Sequence, residues 1–162
     1  MSKILEVKDL SVEFKSKEKT FAAVNNISFD IKKGQTLALV GESGSGKSVT
    51  ALSILQLLPY PVASHSKNSS IKLNKTELLG AKKSLLTKIR GSSVSMIFQE
   101  PMTSLNPVFT CGYQVVEAIT LHQNVSDEEA KKITIELFDQ VKLPNPERIF
   151  DAFPHELSGG QK

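Results

Sequence analysis

The sequence predicts an α/β fold arranged around a phosphate-binding loop, and three features carry that reading. Residues 41–48 run Gly-Glu-Ser-Gly-Ser-Gly-Lys-Ser, a Gly-x-x-x-x-Gly-Lys-Ser pattern. The apolar run Thr36–Val40 precedes it as a buried strand and Val49 to Leu58 follows as a helix, the strand–loop–helix setting that the pattern requires. Before this core, residues 4–31 alternate as antiparallel strands do; from about Tyr113 onward the apolar residues recur at helical spacing.

Each part of the loop has a chemical reason. Glycines let successive backbone N–H groups turn inward around a polyphosphate, where side chains would clash and forbid the dihedrals. Lys47 supplies a point charge for the β- and γ-phosphates, Ser48 an oxygen ligand for Mg²⁺, and the helix start a favourable partial charge. The expected nucleotide contacts run over Gly41, Ser43, Gly44, Ser45, Gly46, Lys47, Ser48 and Val49.

Composition narrows the class. A chain of 162 residues is the size of one domain. The net charge of +3 comes with lysine pairs spread as Lys32-Lys33, Lys82-Lys83 and Lys131-Lys132, a solvated surface rather than a nucleic-acid stripe. The single cysteine, Cys111, has no disulfide partner in the chain and suits a small buried apolar role in a reducing compartment. No apolar run approaches the roughly 18 residues that span a bilayer, and the first residues lack a signal-peptide core. A cytosolic protein is expected, with any membrane link made through a partner.

In chain order, Ile4 to Phe14 alternates loosely, Lys15 to Lys19 is a charged turn, and Phe21 to Ile31 forms a second strand with Ile27, Phe29 and Ile31 on one face. Lys33-Gly34 turns into the strand before the loop. The helix after the loop is apolar on most sides and is expected to be buried, ended by Pro59 and Pro61. Ile71–Leu73 reads as an edge strand, Lys82 to Arg90 as a short helix stopped at Gly91, and Val94–Phe98 as a second buried strand. A helix follows from about Tyr113 to His122. Ser126 and Glu129 form a capping box that starts another helix, with Ala130, Ile133, Leu137, Phe138 and Val141 on one stripe and Pro144 and Pro146 at its end. A short turn around Arg148 to Phe153 leads to Pro-His-Glu-Leu-Ser-Gly-Gly-Gln at 154–161.

Leu157-Ser-Gly-Gly-Gln161 resembles the signature sequence of ATP-binding cassette (ABC) ATPases, and Gln99 stands where that family has its Q-loop glutamine. The stretch from Ser95 to Pro107, the loop at 41–49 and Pro154 to Gly160 together resemble the ATPase subunits of bacterial dipeptide, oligopeptide and nickel importers over nearly the whole chain. The resemblance implies an α/β phosphate-loop NTPase core with an N-terminal antiparallel β-subdomain and a helical subdomain. The expected divisions are 1–34, 35–100 and 101–162. It implies ATP and Mg²⁺, with Lys47 and Gln99 as catalytic residues and Ser48 and Gln99 at the metal. Ser158, Gly159, Gly160 and Gln161 would close over the γ-phosphate held by a second ABC ATPase subunit. Phe14 would stack on adenine, with Phe21 as runner-up. Implied partners are integral membrane permease subunits and, indirectly, an extracytoplasmic solute-binding protein, at the cytoplasmic membrane face and without nucleic acid.

In that family the signature precedes a Walker B strand ending in Asp-Glu, a D-loop and a switch histidine, so the domain is expected to be incomplete at its C-terminus and inactive in hydrolysis alone. Asp139 and Asp151 both follow apolar residues but precede the signature, and Asn74-Lys-Thr-Glu77 mimics a guanine-reading motif with glutamate in place of aspartate. Neither is read as functional. Alternatives are a non-transport ABC ATPase acting on ribosomes or DNA, and an inactive truncated product.

Overall fold

The computed structural model describes residues 2–17, 19–98 and 104–161. They form two compact units that divide between Ser95 and Met96. The first is built on a long hairpin, in which β1 (Lys3–Lys15) pairs antiparallel with β2 (Thr20–Lys32) in the register Val7↔Phe29, Leu10↔Ile27, Val12↔Val24 and Phe14↔Phe21. Strict alternation would turn residue 9 inward after Leu5 and Val7. Instead Asp9 adopts a φ of 46°, and the bulge it makes shifts the parity of the pleat, so Leu5, Val7, Leu10 and Val12 are all buried. Asn26, at φ 50°, lies between the inward residues Val24 and Ile27 of β2. The displaced amides find serines: Asp9 N–H donates to Ser28 Oγ at 2.8 Å and Asn26 N–H to Ser11 Oγ at 2.9 Å.

Along the other side of β1 lie β3 (Ala63–His65), against Val12–Phe14, and β4 (Ser70–Leu73), against Leu5–Lys8. β5 (Thr76–Glu77) completes the order β2-β1-β4-β5. β4 is therefore interior rather than the predicted edge strand, because Asn74 and Lys75, both at positive φ, turn β5 back onto it. Glu77 is used up in this turn: Ile71 and Leu79 N–H donate to its Oε1 at 2.9 and 3.1 Å, and the Ser70 hydroxyl donates to Oε2. Burial alone would raise its pKa, but these donors and the Leu78 N–H outweigh burial and hold the carboxyl below its ordinary value of 4.5.

α1 (Lys47–Ile54) stops short of the predicted Leu58. Gln56 takes the left-handed conformation (φ 52°), and two bonds close the end: Gln56 N–H to Ser53 O at 3.1 Å and Leu57 N–H to Leu52 O at 2.9 Å. Arg90 then donates to the exposed carbonyls of Leu55 and Gln56 at 2.8 and 2.7 Å, a cation at the negative end of the helix. Arg90 follows α2 (Lys83–Ile89), which runs as the sequence predicts and stops before Gly91.

Two predicted buried strands are not strands. Thr36–Val40 has no strand pairing and leaves Val40 92% exposed; Val94 makes one parallel bridge to Arg90, and Ile97 is 97% exposed. A strand buried on both faces needs neighbours at both edges, and among the described residues neither run has more than the single Val94 bridge. α1 is accordingly half-buried, not enclosed. Its fully buried residues are Thr50 and Ser53, whose hydroxyls donate to the carbonyls of Gly46 and Val49 at 2.9 and 2.8 Å.

The second unit packs α3 (Cys111–His122), α4 (Asp127–Gln140) and α5 (Pro146–Asp151) around Cys111, Phe138 and Ile149. Ser126 caps α4 as predicted, accepting from Glu129 N–H at 3.2 Å. The buried row is Ala130, Thr134 and Phe138, while Leu137 and Val141 of the predicted stripe are exposed. Thr134 can be buried because its hydroxyl donates to Ala130 O at 2.8 Å. α4 ends as α1 does, on a left-handed Lys142 with Leu143 N–H bonded to Phe138 O at 3.0 Å, so the prolines do not stop it. Pro146 instead opens α5, which runs into the short turn predicted around Arg148 to Phe153. A 3-10 turn, Pro154–Glu156, follows.

The depressed Glu77 pKa fixes a sign: the stability it contributes is present above its unfolded value and is lost as pH falls through the folded one. Unfolding free energy, measured by urea titration, is expected to drop on acidification below pH 4.5, and Glu77→Gln to flatten that drop while costing about 1–2 kcal/mol at pH 7.

Candidate functional site

The phosphate loop is held against the hairpin by the absence of a side chain. A Cβ at Gly46 would lie 2.5 Å from the Ala23 carbonyl oxygen and 3.1 Å from Val24 Cγ2, and the residue has a φ of 88° that favours glycine. Gly46 is also the N-cap of α1, its carbonyl accepting from Thr50 N–H at 2.8 Å. The loop, the helix start and β2 are thereby fixed to one another at a single residue. Gly44 supplies the second left-handed turn, at φ 82°.

Lys47 folds back over the loop it follows. Its ammonium donates to Gly41 O at 2.8 Å, Glu42 O at 2.6 Å and Ser45 Oγ at 3.2 Å, which places the cation at the mouth of the loop. Ser48 is exposed in the first turn of α1, and Val49 packs against the core of the first unit. A cleft of about 240 Å³ opens here, lined by Gly44 to Val49 on one side and Phe14, Phe21 and Ala23 on the other. Both candidate aromatics thus border the loop. Phe14 is half-buried and packed on the core, whereas Phe21, its partner across the hairpin, is 65% exposed. Lys15 N–H donates to Val62 O at 2.9 Å and Ala63 pairs with Phe14, so the return of the chain after α1 braces this wall.

In the second unit the signature is a turn at the end of the helices. Ser158 N–H donates to Gln161 Oε1 at 2.9 Å and Gln161 N–H to Ser158 O at 3.0 Å. A Cβ added at Gly159 or Gly160 would meet nothing within 4 Å, and neither glycine has a left-handed φ. The unit does not itself need glycine there. His155 stacks on Phe153 with ring centroids 5.7 Å apart. Gln99, the expected catalytic and metal-binding glutamine, lies outside the described residues. Asp139 and Asp151 lie in α4 and α5, so neither ends a strand. Among the described residues no group of three or more His, Cys, Asp or Glu could hold a metal ion, and no helix is long and apolar enough to cross a membrane.

Residues 24–162 match the family described as ABC transporter. The chain belongs to this family. Its curated ABC relatives include the peptidoglycan transport ATP-binding protein YejF of Agrobacterium fabrum, 50% identical over 98% of this chain and 29% of the relative. The oligopeptide transport ATP-binding protein OppD of Bacillus subtilis is 42% identical over all of this chain and 45% of its own length. The glutathione import ATP-binding protein GsiA of Escherichia coli K12 is 44% identical over 98% of this chain and 26% of its own. The chain spans less than half the length of each of these relatives. Among solved structures, a dimeric form of MJ0796, a bacterial ABC transporter cassette, superimposes with a TM-score of 0.80 at 26% identity, covering 97% of this chain and 64% of that one. A post-hydrolysis state of the same cassette, bound to ADP and Pi, gives 0.78 at 25% identity with the same coverage.

The two kinds of glycine lead to opposite expectations. Gly46→Ala, which meets a carbonyl at 2.5 Å, should lower the unfolding free energy by about 1–3 kcal/mol in chemical denaturation. Gly159→Ala should leave it unchanged or raise it by up to about 1 kcal/mol.

Proposed function

We propose that this chain is the nucleotide-binding portion of an ABC ATPase subunit that energises import of a di- or oligopeptide across a membrane. The observation that carries the reading is the shared cleft: the glycine loop with its lysine faces two aromatic side chains across one opening. That arrangement offers amides and a cation to a polyphosphate and a ring face to a base. Phe14 takes the adenine on this reading, with Phe21 completing the wall. Lys47 exchanges its bonds to the loop for the β- and γ-phosphate oxygens. The donor set at the start of α1 fits a hard cation bound together with phosphate, so Ser48 would hold Mg²⁺, with Gln99 as the second candidate. When bound, Mg²⁺ neutralises charge on the phosphates.

Ser158, Gly159, Gly160 and Gln161 face the nucleotide of a second ABC ATPase subunit in this proposal. Open space around both glycines supports it, since the close approach they permit is not used within the unit. The names of OppD and YejF support peptide-type cargo, and membrane permease subunits, fed by an extracytoplasmic solute-binding protein, are the partners at the cytoplasmic face. The separated lysine pairs favour these partners over nucleic acid. These 162 residues contain no apolar strand ending in paired carboxylates, so the chain alone is expected to bind ATP without turning it over.

Titration with a fluorescent ATP analogue and Mg²⁺ should show saturable binding, weakened about 10–100-fold by Lys47→Ala and roughly tenfold by Phe14→Ala. Phosphate release should stay at the blank. Binding indifferent to Lys47→Ala would refute the site, and steady turnover abolished by Lys47→Ala would refute the inactivity of the isolated chain.

A further inference from the structure

We propose that Glu156 and Gln161 are positioning residues for the signature, each closing one of two successive turns that fix Ser158, Gly159 and Gly160 before any nucleotide meets them. This rests on reading the signature as a nucleotide-facing surface. The two closures share one design. Phe153 N–H donates to Glu156 Oε2 at 2.7 Å while Glu156 N–H returns to Phe153 O at 2.9 Å. Five residues on, Ser158 N–H donates to Gln161 Oε1 at 2.9 Å while Gln161 N–H returns to Ser158 O at 3.0 Å. Each has one half of a capping box, the side chain three residues on accepting from the first amide, while the return bond goes to the first residue's backbone carbonyl.

Only Leu157 separates the two turns, and it packs against the Cys111–Phe138–Ile149 core while Pro154 is buried. The first turn is thus anchored to the helices and the second is carried by it. The second closure uses the amides of Ser158 and Gln161 and neither of the glycine amides between them. A glycine pair with open space around it would otherwise sample many conformations, and each would have to be given up when a phosphate binds. The closure requires an acceptor oxygen at the right reach and nothing more. Glutamate can therefore replace Gln161, and glutamine Glu156; leucine can replace neither.

Amide hydrogen exchange of the ¹⁵N-labelled chain, without nucleotide, tests this at Ser158 and Phe153. Cys111 N–H, which donates to Ala152 O at 2.8 Å, reports whether the helical unit stays folded. Gln161→Leu should speed Ser158 exchange about tenfold, the scale of one lost net hydrogen bond. Gln161→Glu should restore it, and Glu156→Leu and Glu156→Gln should act likewise at Phe153. Gln161→Asn, which keeps the amide but falls one methylene short, should behave as Gln161→Leu with Cys111 unchanged. Wild-type exchange at Ser158 in Gln161→Leu or Gln161→Asn would overturn the proposal, as would Gln161→Glu as fast as Gln161→Leu. A failed ATP site would leave these rates unmoved.

Discussion

The contact on which the first unit depends is the approach of Gly46 to the Ala23 carbonyl. A 2.5 Å separation from a Cβ position is closer than any side chain tolerates, so the loop can sit on β2 only as glycine. From that point α1 starts in one direction and the loop curls in the other, bringing Lys47 back over Gly41 and Glu42. The aromatic wall belongs to the same hairpin that supplies Ala23. Anchoring the loop to β2 therefore sets the width of the cleft as well as the conformation of the loop. The hairpin's bulges at Asp9 and Asn26 matter for the same reason: without the parity shift, Val12 and Phe14 would change faces.

Gly112 is the counterpart in the helical unit, where a Cβ would meet the Phe150 ring at 2.3 Å. Gly46 and Gly112 are glycines that the fold requires. Gly159 and Gly160 are not, since a Cβ on either meets nothing within 4 Å.

Much of this was legible in the sequence. Both hairpin strands, the phosphate loop, α2, α3, and α4 with its start follow from alternation, glycine spacing, helical periodicity and the Ser126 cap, because those signals are local; α3 begins at Cys111 on a Thr110 cap, ahead of the expected Tyr113. The irregular step from Val7 to Leu10 marks a bulge in retrospect, though one skipped position is a weak signal. Helix ends were misread for a specific reason: Gln56 and Lys142 close α1 and α4 in a conformation associated with glycine, and nearby prolines gave the more visible stop. Thr134 was missed as core because its hydroxyl is satisfied within the helix, which sequence hydrophobicity does not count. The runs at 36–40 and 94–98 have strand composition but no partner strand among the described residues; pairing is a property of neighbours, and composition cannot supply them. Within the site, the loop and both aromatics were legible, whereas the self-bonding of Lys47 and the two side-chain-closed turns required coordinates.

Photolabelling with 8-azido-ATP, followed by peptide mapping, tests the central claim most directly, since the azide reports where the base lies when the loop holds the phosphates. Label is expected on the peptides spanning Phe14 and Phe21, displaced by excess ATP and lost in Gly46→Ala. Label confined to residues 104–161, or undiminished in Gly46→Ala, would contradict a nucleotide site built by seating this loop on the hairpin.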